Sequence, residues 1–158
     1  MSVINIDLAM KHLLAEPEDQ ELVQSQLDGA EGAAMAYIQR SFFVDQAALD
    51  AARLQVPSMR SVARQQYDSA MADAALIDDQ LLRCEAMDDA KFSLSEALDA
   101  ATRVARGMVI TPSIQSGCLL KLGHLFANRE EVVTGTIATE LPQASKALLT
   151  PYRVGMGA

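Results

Sequence analysis

Apolar side chains recur at intervals of three and four along most of this chain, the pattern of amphipathic helices and not of alternating strands. A short first helix is predicted from a cap at Asp7 to about Ala15, where Pro17 forces Glu16 out of helical geometry. Glu18, Asp19 and Glu21 then place negative charge in the first turn of a second helix, where the helix dipole favours it. Leu22, Val23, Leu27, Ala30, Ala33, Ala34, Tyr37 and Ile38 form its buried stripe. Small residues at 29, 30, 32, 33 and 34 suggest a close contact with another helix, because each of the two glycines otherwise costs about 1 kcal/mol against Ala.

Phe42 and Phe43 form an apolar corner, and Asp45 is placed to cap a short helix that Pro57 terminates or restarts. From Ser58 to Arg106 there is neither Gly nor Pro, and Met59, Val62, Ala63, Tyr67, Ala70, Met71, Ala74, Ile77, Leu81, Cys84, Met87, Leu94, Leu98, Ala101 and Val104 keep helical phase. One unbroken helix there would reach about 70 Å at 1.5 Å per residue, so a hairpin of two helices is expected. Its turn falls near "LIDDQ" or "MDDAK", where paired Asp residues can cap. Gly107 is a C-cap candidate, "MVIT" reads as a short extended piece, and Thr111 with Pro112 opens a further helix. In that helix Leu119, Leu122, Leu125 and Phe126 share a stripe that Cys118 and Leu120 widen until little is left for water. Such a helix sits at the centre of its own domain or is covered partly by another chain. The tail has strand-like residues, a short helix from Pro142 to Leu149 and a Pro151-Tyr152-Arg153 close.

Composition and periodicity support an all-α chain, a small helical bundle with a long helical hairpin and an extended C-terminal tail. Half of the 158 residues are hydrophobic, yet aromatics are 4% and Trp is absent, which leaves a palette of Ala, Leu, Val, Ile and Met. A formal net charge of -8 and a pI near 4.6 disfavour gripping of phosphate backbones, which needs Lys and Arg to displace counterions. No apolar run approaches the roughly 18 residues of a membrane span, and the N-terminus has neither a basic n-region nor a long apolar h-region. A soluble, unexported chain is expected. Cys84 and Cys118 make no disulfide framework, and both lie in apolar helical patterns as expected of buried thiols.

Chemistry is thin. His12 and His124 lack a second ligand at metal-binding spacing, and the acidic pairs read as solvated turns. Ser113, Ser116 and Cys118 are too close to His124 on one helix to converge with it on a substrate atom. No catalytic residue, cofactor or metal is expected, and the chain does not read as an enzyme.

The run "ITPSIQSGCLLKLGHLFANREEVVTG" followed by "ELPQASKALLTPYRV" resembles the small head-tail connector proteins of long-tailed bacteriophages, also called adaptor or head-completion proteins. "IDLAMKHLLAEPEDQELVQSQLDGAEGAAMAYIQR" is similar to the family's N-terminal pattern of a short helix, an acidic break and a second helix ending at an Arg. The resemblance covers roughly residues 4–42 and 107–154, with "GHLFANRE" and "LLTPYR" at the right separation as its most specific part. Residues 44–106 depart from the shorter pattern as a helical insertion like that of longer members. The resemblance implies a single connector domain with that insertion and a docking tail over 134–158. It also implies a homo-oligomeric ring of about twelve copies, seated below the portal protein. The ring would extend the DNA channel, let DNA pass without specific binding, and dock a downstream connector or tail protein. Such a protein resides at the head-tail interface of the virion and in the bacterial host cytoplasm during assembly. An interaction module or assembly chaperone, built as a helical bundle without ring formation, is the alternative.

Two surfaces are expected at interfaces. Asn128, Arg129 and Glu130 follow directly on the apolar stripe, so Arg129 would pair with an acidic group across a subunit boundary while Asn128 caps exposed carbonyls. The tail offers spaced anchors at Ile137, Leu141, Leu148, Leu149 and Tyr152, stiffened by Pro142 and Pro151 and followed by Arg153, as a docking arm for the portal or the adjacent subunit. In the competing arrangement Leu148, Leu149 and Tyr152 fold back over the central helix of their own subunit.

Overall fold

A computed structural model of the chain describes residues 2–128 and 143–155. The described residues form six α-helices, two single 3-10 turns and one pair of two-residue strands, an all-α fold. They divide into two compact units: residues 1–46 with 108–158, and residues 47–107.

In the first unit, α1 (Ile6–Leu13) is capped by Asn5, whose side-chain oxygen accepts from the Asp7 N–H at 2.7 Å. The cap therefore lies two residues before the expected Asp7, which sits in the first turn where its charge meets the dipole. Leu14 ends the helix in the left-handed conformation (φ 53°). A 3-10 turn over Pro17–Asp19 leads into α2 (Gln20–Ile38), which buries Val23, Leu27, Ala30, Ala34 and Ile38. Gly29 and Gly32 face open space, with no atom within 4 Å of where a Cβ would stand. Of the small residues, Ala30 and Ala34 are the buried ones, and Leu22 lies outside the buried stripe.

β1 (Phe42–Phe43) pairs in parallel with β2 (Met108–Val109). Parallel neighbours need a long crossover, and here the whole second unit is that connection. α5 (Pro112–Ala127) starts at Thr111, whose Oγ1 accepts from the Ile114 N–H at 3.4 Å, with Pro112 at the first position. It buries Ile114, Cys118, Leu119 and Leu122 against α2, whereas Leu120 is 44% exposed, so the helix is not covered all round. Each Leu or Ile buried in this way stabilises the unit by roughly 1.5–3 kcal/mol. α6 (Gln143–Leu149) lies across α5 at Gly117, where an added Cβ would stand 3.3 Å from Leu149 Cγ.

The second unit is a helical hairpin. α3 (Gln46–Ala75) and α4 (Gln80–Ala105) are joined at 76–79, within the "LIDDQ" alternative, and Asp79 caps α4 by accepting from the Leu81 and Leu82 N–H groups at 2.8 and 3.0 Å. Pro57 neither ends nor restarts a helix; it lies inside α3. A proline there costs on the order of 3 kcal/mol through the lost bond to the Arg53 carbonyl and the clash of its ring. Leu49, Val56 and Ala63 stay buried on one heptad-spaced face through the proline, so packing on both sides carries the helix across it. The Arg53 guanidinium also ties the start of α3 to the end of α4, with Nη2 donating to the Gly107 carbonyl at 3.1 Å. Val62, Leu81 and Cys84, expected inside, are exposed. Besides Leu49 and Val56, the buried residues of the hairpin helices are the small ones Ala63, Ala74, Ala90 and Ala101, so the wider stripe read from the sequence overstates what is buried.

Candidate subunit interface

α5 organises the first unit, and the described residues among those expected at an interface lie toward its two ends. At the C-terminal end, the Asn128 side-chain amide donates to the His124 carbonyl at 2.9 Å and stands 2.9 Å from His124 Nδ1, while the Asn128 N–H reaches the same carbonyl at 3.0 Å. Asn128 therefore caps the helix end, and His124 is held in a local structural bond. Beside it, the Gln26 amide donates to the Leu125 carbonyl at 3.4 Å. Arg129, Glu130, Ile137, Leu141 and Pro142 lie outside the described residues.

At the N-terminal end, residues 149–154 close back on the first unit. Leu149 is buried in the core beside Ile114 and Cys118, and Tyr152 packs against that core. Side chains of Thr111 and Ser113 hydrogen-bond the Tyr152 hydroxyl and hold its pKa below the usual phenol range. The Val154 N–H donates to the Ile38 carbonyl at 3.1 Å, Tyr37 and Thr150 hydroxyls are 3.0 Å apart, and the Arg153 guanidinium lies 5.0 Å from the Tyr37 ring centroid. Leu149 is therefore a core residue of the first unit, as in the arrangement in which Leu148, Leu149 and Tyr152 fold back over the central helix. The physical reason is Gly117: without a Cβ on α5, Leu149 can seat directly on the helix. Leu148 is half-buried, while Pro151 and Arg153 are exposed. The structure does not bring Asn128 together with Pro151, Tyr152 and Arg153, since sixteen residues of α5 span about 24 Å between the two ends.

Sequence reasoning missed Glu31. Its carboxylate is buried in the first unit and accepts from the N–H groups of Val3 and Ile4, both at 2.8 Å, pinning the N-terminal segment to α2. Burial pushes its pKa up, opposed by those two backbone donors, and nearby Asp28 adds to the rise. The signal was present in the spacing: Glu31 stands one turn after Leu27 and one before Ala34, within the buried stripe. Cys118, also buried, packs in the same core, and its thiol is pushed up to about 12, mainly by desolvation.

Among the described residues, no group of three or more His, Cys, Asp or Glu side chains could hold a metal ion, and no helix is long and apolar enough to cross a membrane. No protein-family model, curated protein or solved structure matches the chain.

Proposed function

We propose that the protein is a structural subunit of a bacteriophage head-tail connector, assembling as a ring that joins the portal to the next connector or tail component and prolongs the DNA channel. One observation carries the reading beyond the sequence resemblance. The segments that bear the resemblance, on either side of the insertion, pack into a single unit with one core, in which Leu27 and Ile38 from the first meet Ile114, Leu122 and Leu149 from the second. Segments that jointly specify a folded unit are what a shared family pattern requires. The net charge of -8 suits a channel component, because a wall of like charge lets DNA slide without sticking. Large apolar side chains left outside, among them Leu54, Leu76, Leu81 and Phe92 on the hairpin and Leu14 and Leu120 on the first unit, supply surface for contacts between chains.

A ring closes when the same two unlike faces meet repeatedly. Electron microscopy of the chain mixed with a portal protein encoded by the same genome tests the proposal. Rings stacked coaxially on the portal are expected. A chain that stays strictly dimeric, both alone and with portal, would rule the connector reading out.

A further inference from the structure

The hairpin carries two faces of opposite character. Between α3 and α4 lies an open groove of about 510 Å³, lined by Tyr67, Ala70, Ala74, Ile77, Ala90 and Leu94, with the carboxylates of Asp73 and Asp89 also on its lining. Neither carboxylate pairs with a cation among the described residues, and no Lys or Arg lines the groove. Its apolar lining leaves room for side chains larger than the alanines that supply much of it, and its charge asks for a cationic visitor.

The complementary surface lies earlier on the same hairpin. Leu54, Pro57, Ser61 and Arg64 follow one another at helical spacing along the outside of α3, with Arg60 beside them. Leu54 is 78% exposed, and both arginines are exposed. Charge along the hairpin is segregated on the same plan. Residues 51–64 and 100–107 contain Arg53, Arg60, Arg64, Arg103 and Arg106 and no carboxylate, whereas residues 66–99 contain nine carboxylates against Arg83 and Lys91.

We propose that the groove receives the Leu54–Arg64 face of a second copy of this chain, so that adjacent subunits join hairpin to hairpin, head to tail. Leu54 and Pro57 supply the apolar contact, and Arg60 and Arg64 meet Asp73 and Asp89. Placed head to tail, each copy gives its groove to one neighbour and its Leu54–Arg64 face to the other, so the contact is heterologous and adds further copies in the same sense. The inference rests on the ring reading and names one of its contacts. Portal-bound rings that survive reversal of these charges would remove this contact while leaving that reading intact.

Sedimentation of the full-length chain over a range of concentrations tests it. The wild-type chain is expected to associate beyond the dimer, more weakly at high salt because the ion pairs are screened. Arg60→Glu with Arg64→Glu makes both faces acidic, and Asp73→Lys with Asp89→Lys makes both basic. Each double variant is expected to associate on the order of a hundredfold more weakly with unchanged helical circular dichroism, because like charges then face one another. An equimolar mixture of the two variants, in which every contact again joins opposite charges, should recover association. A wild-type chain that stays monomeric, association that stops at the dimer, variants that associate as the wild type does, or a mixture that fails to recover would each overturn the contact.

Discussion

The two units bury different things. The first packs large side chains, with Leu27, Ile38, Ile114 and Leu122 fully inside, and folds even the carboxylate of Glu31 into a bonded position. The hairpin has mostly small residues in its seam and turns Leu54, Leu76, Leu81 and Phe92 outward, each more than half exposed. A core of branched aliphatics drawn from distant segments can hold a unit together by itself. The hairpin buries less, with Leu49 and Val56 beside four alanines, so the Asp79 cap and the Arg53 bond matter more to it while most of its larger apolar side chains stay at the surface.

The sharpest way to break this contrast is to remove the same atoms from both regions. Leu122→Ala is expected to cost about 3–5 kcal/mol in denaturant unfolding, the transfer term of a fully buried side chain plus its cavity. Leu76→Ala, which removes the same atoms from a side chain 81% exposed, is expected to stay within about 0.5 kcal/mol. Similar losses at both positions would show that the hairpin tip is buried in the folded protein.

Glu31 offers the next largest effect. Glu31→Ala leaves the Val3 and Ile4 N–H groups without their acceptor and is expected to cost about 2–3 kcal/mol. The titration has a definite sign. With the folded pKa raised above the ordinary 4.5, the native state holds the proton more tightly than the unfolded chain. Stability should therefore fall as pH rises from 4.5 through the raised folded value, and level off above it. Glu31→Gln should remove that slope, read from chemical melts at a series of pH values. A wild-type chain that gains stability with pH across the same window, relative to the Gln variant, would reverse the assignment.

The glycines give the smallest effect. Gly29→Ala and Gly32→Ala fill open space on α2 and should each stabilise by up to about 1 kcal/mol. Gly117→Ala gains the same propensity but presses on Leu149, and should fall short of them in thermal melts. Equal gains at all three positions would show that α6 does not seat on α5 as described.

Much of the architecture was legible from local rules. The Thr111-Pro112 start, the turn at "LIDDQ" and the α2 stripe each follow from a side chain acting on its own neighbourhood. What escaped depended on distant partners. Pro57 continues a helix because Leu49 and Val56 before it and Ala63 after it are all buried, which no local propensity encodes. Glu31 is tolerated inside because Val3 and Ile4 donate to it from the far end of the chain segment. Leu148, Leu149 and Tyr152 read equally well as anchors for a partner or as a lid on α5, and the choice for Leu149 turned on the missing Cβ of Gly117. Of the residues expected at an interface, Asn128 could be assigned from sequence as a helix cap, since its amide needs only the carbonyls of its own last turn.

The most direct test of the contrast between the units is to excise residues 47–107 and join Gln46 to Met108 through a flexible linker of about six residues. The remaining chain keeps the Leu27, Ile38, Ile114, Leu122 and Leu149 core intact. It is expected to unfold in a single cooperative denaturant transition, with Leu122→Ala costing as much as it does in the full chain. A shortened chain that melts without a cooperative transition would contradict the account, because the hairpin would then be supplying part of the core that the first unit is described as owning.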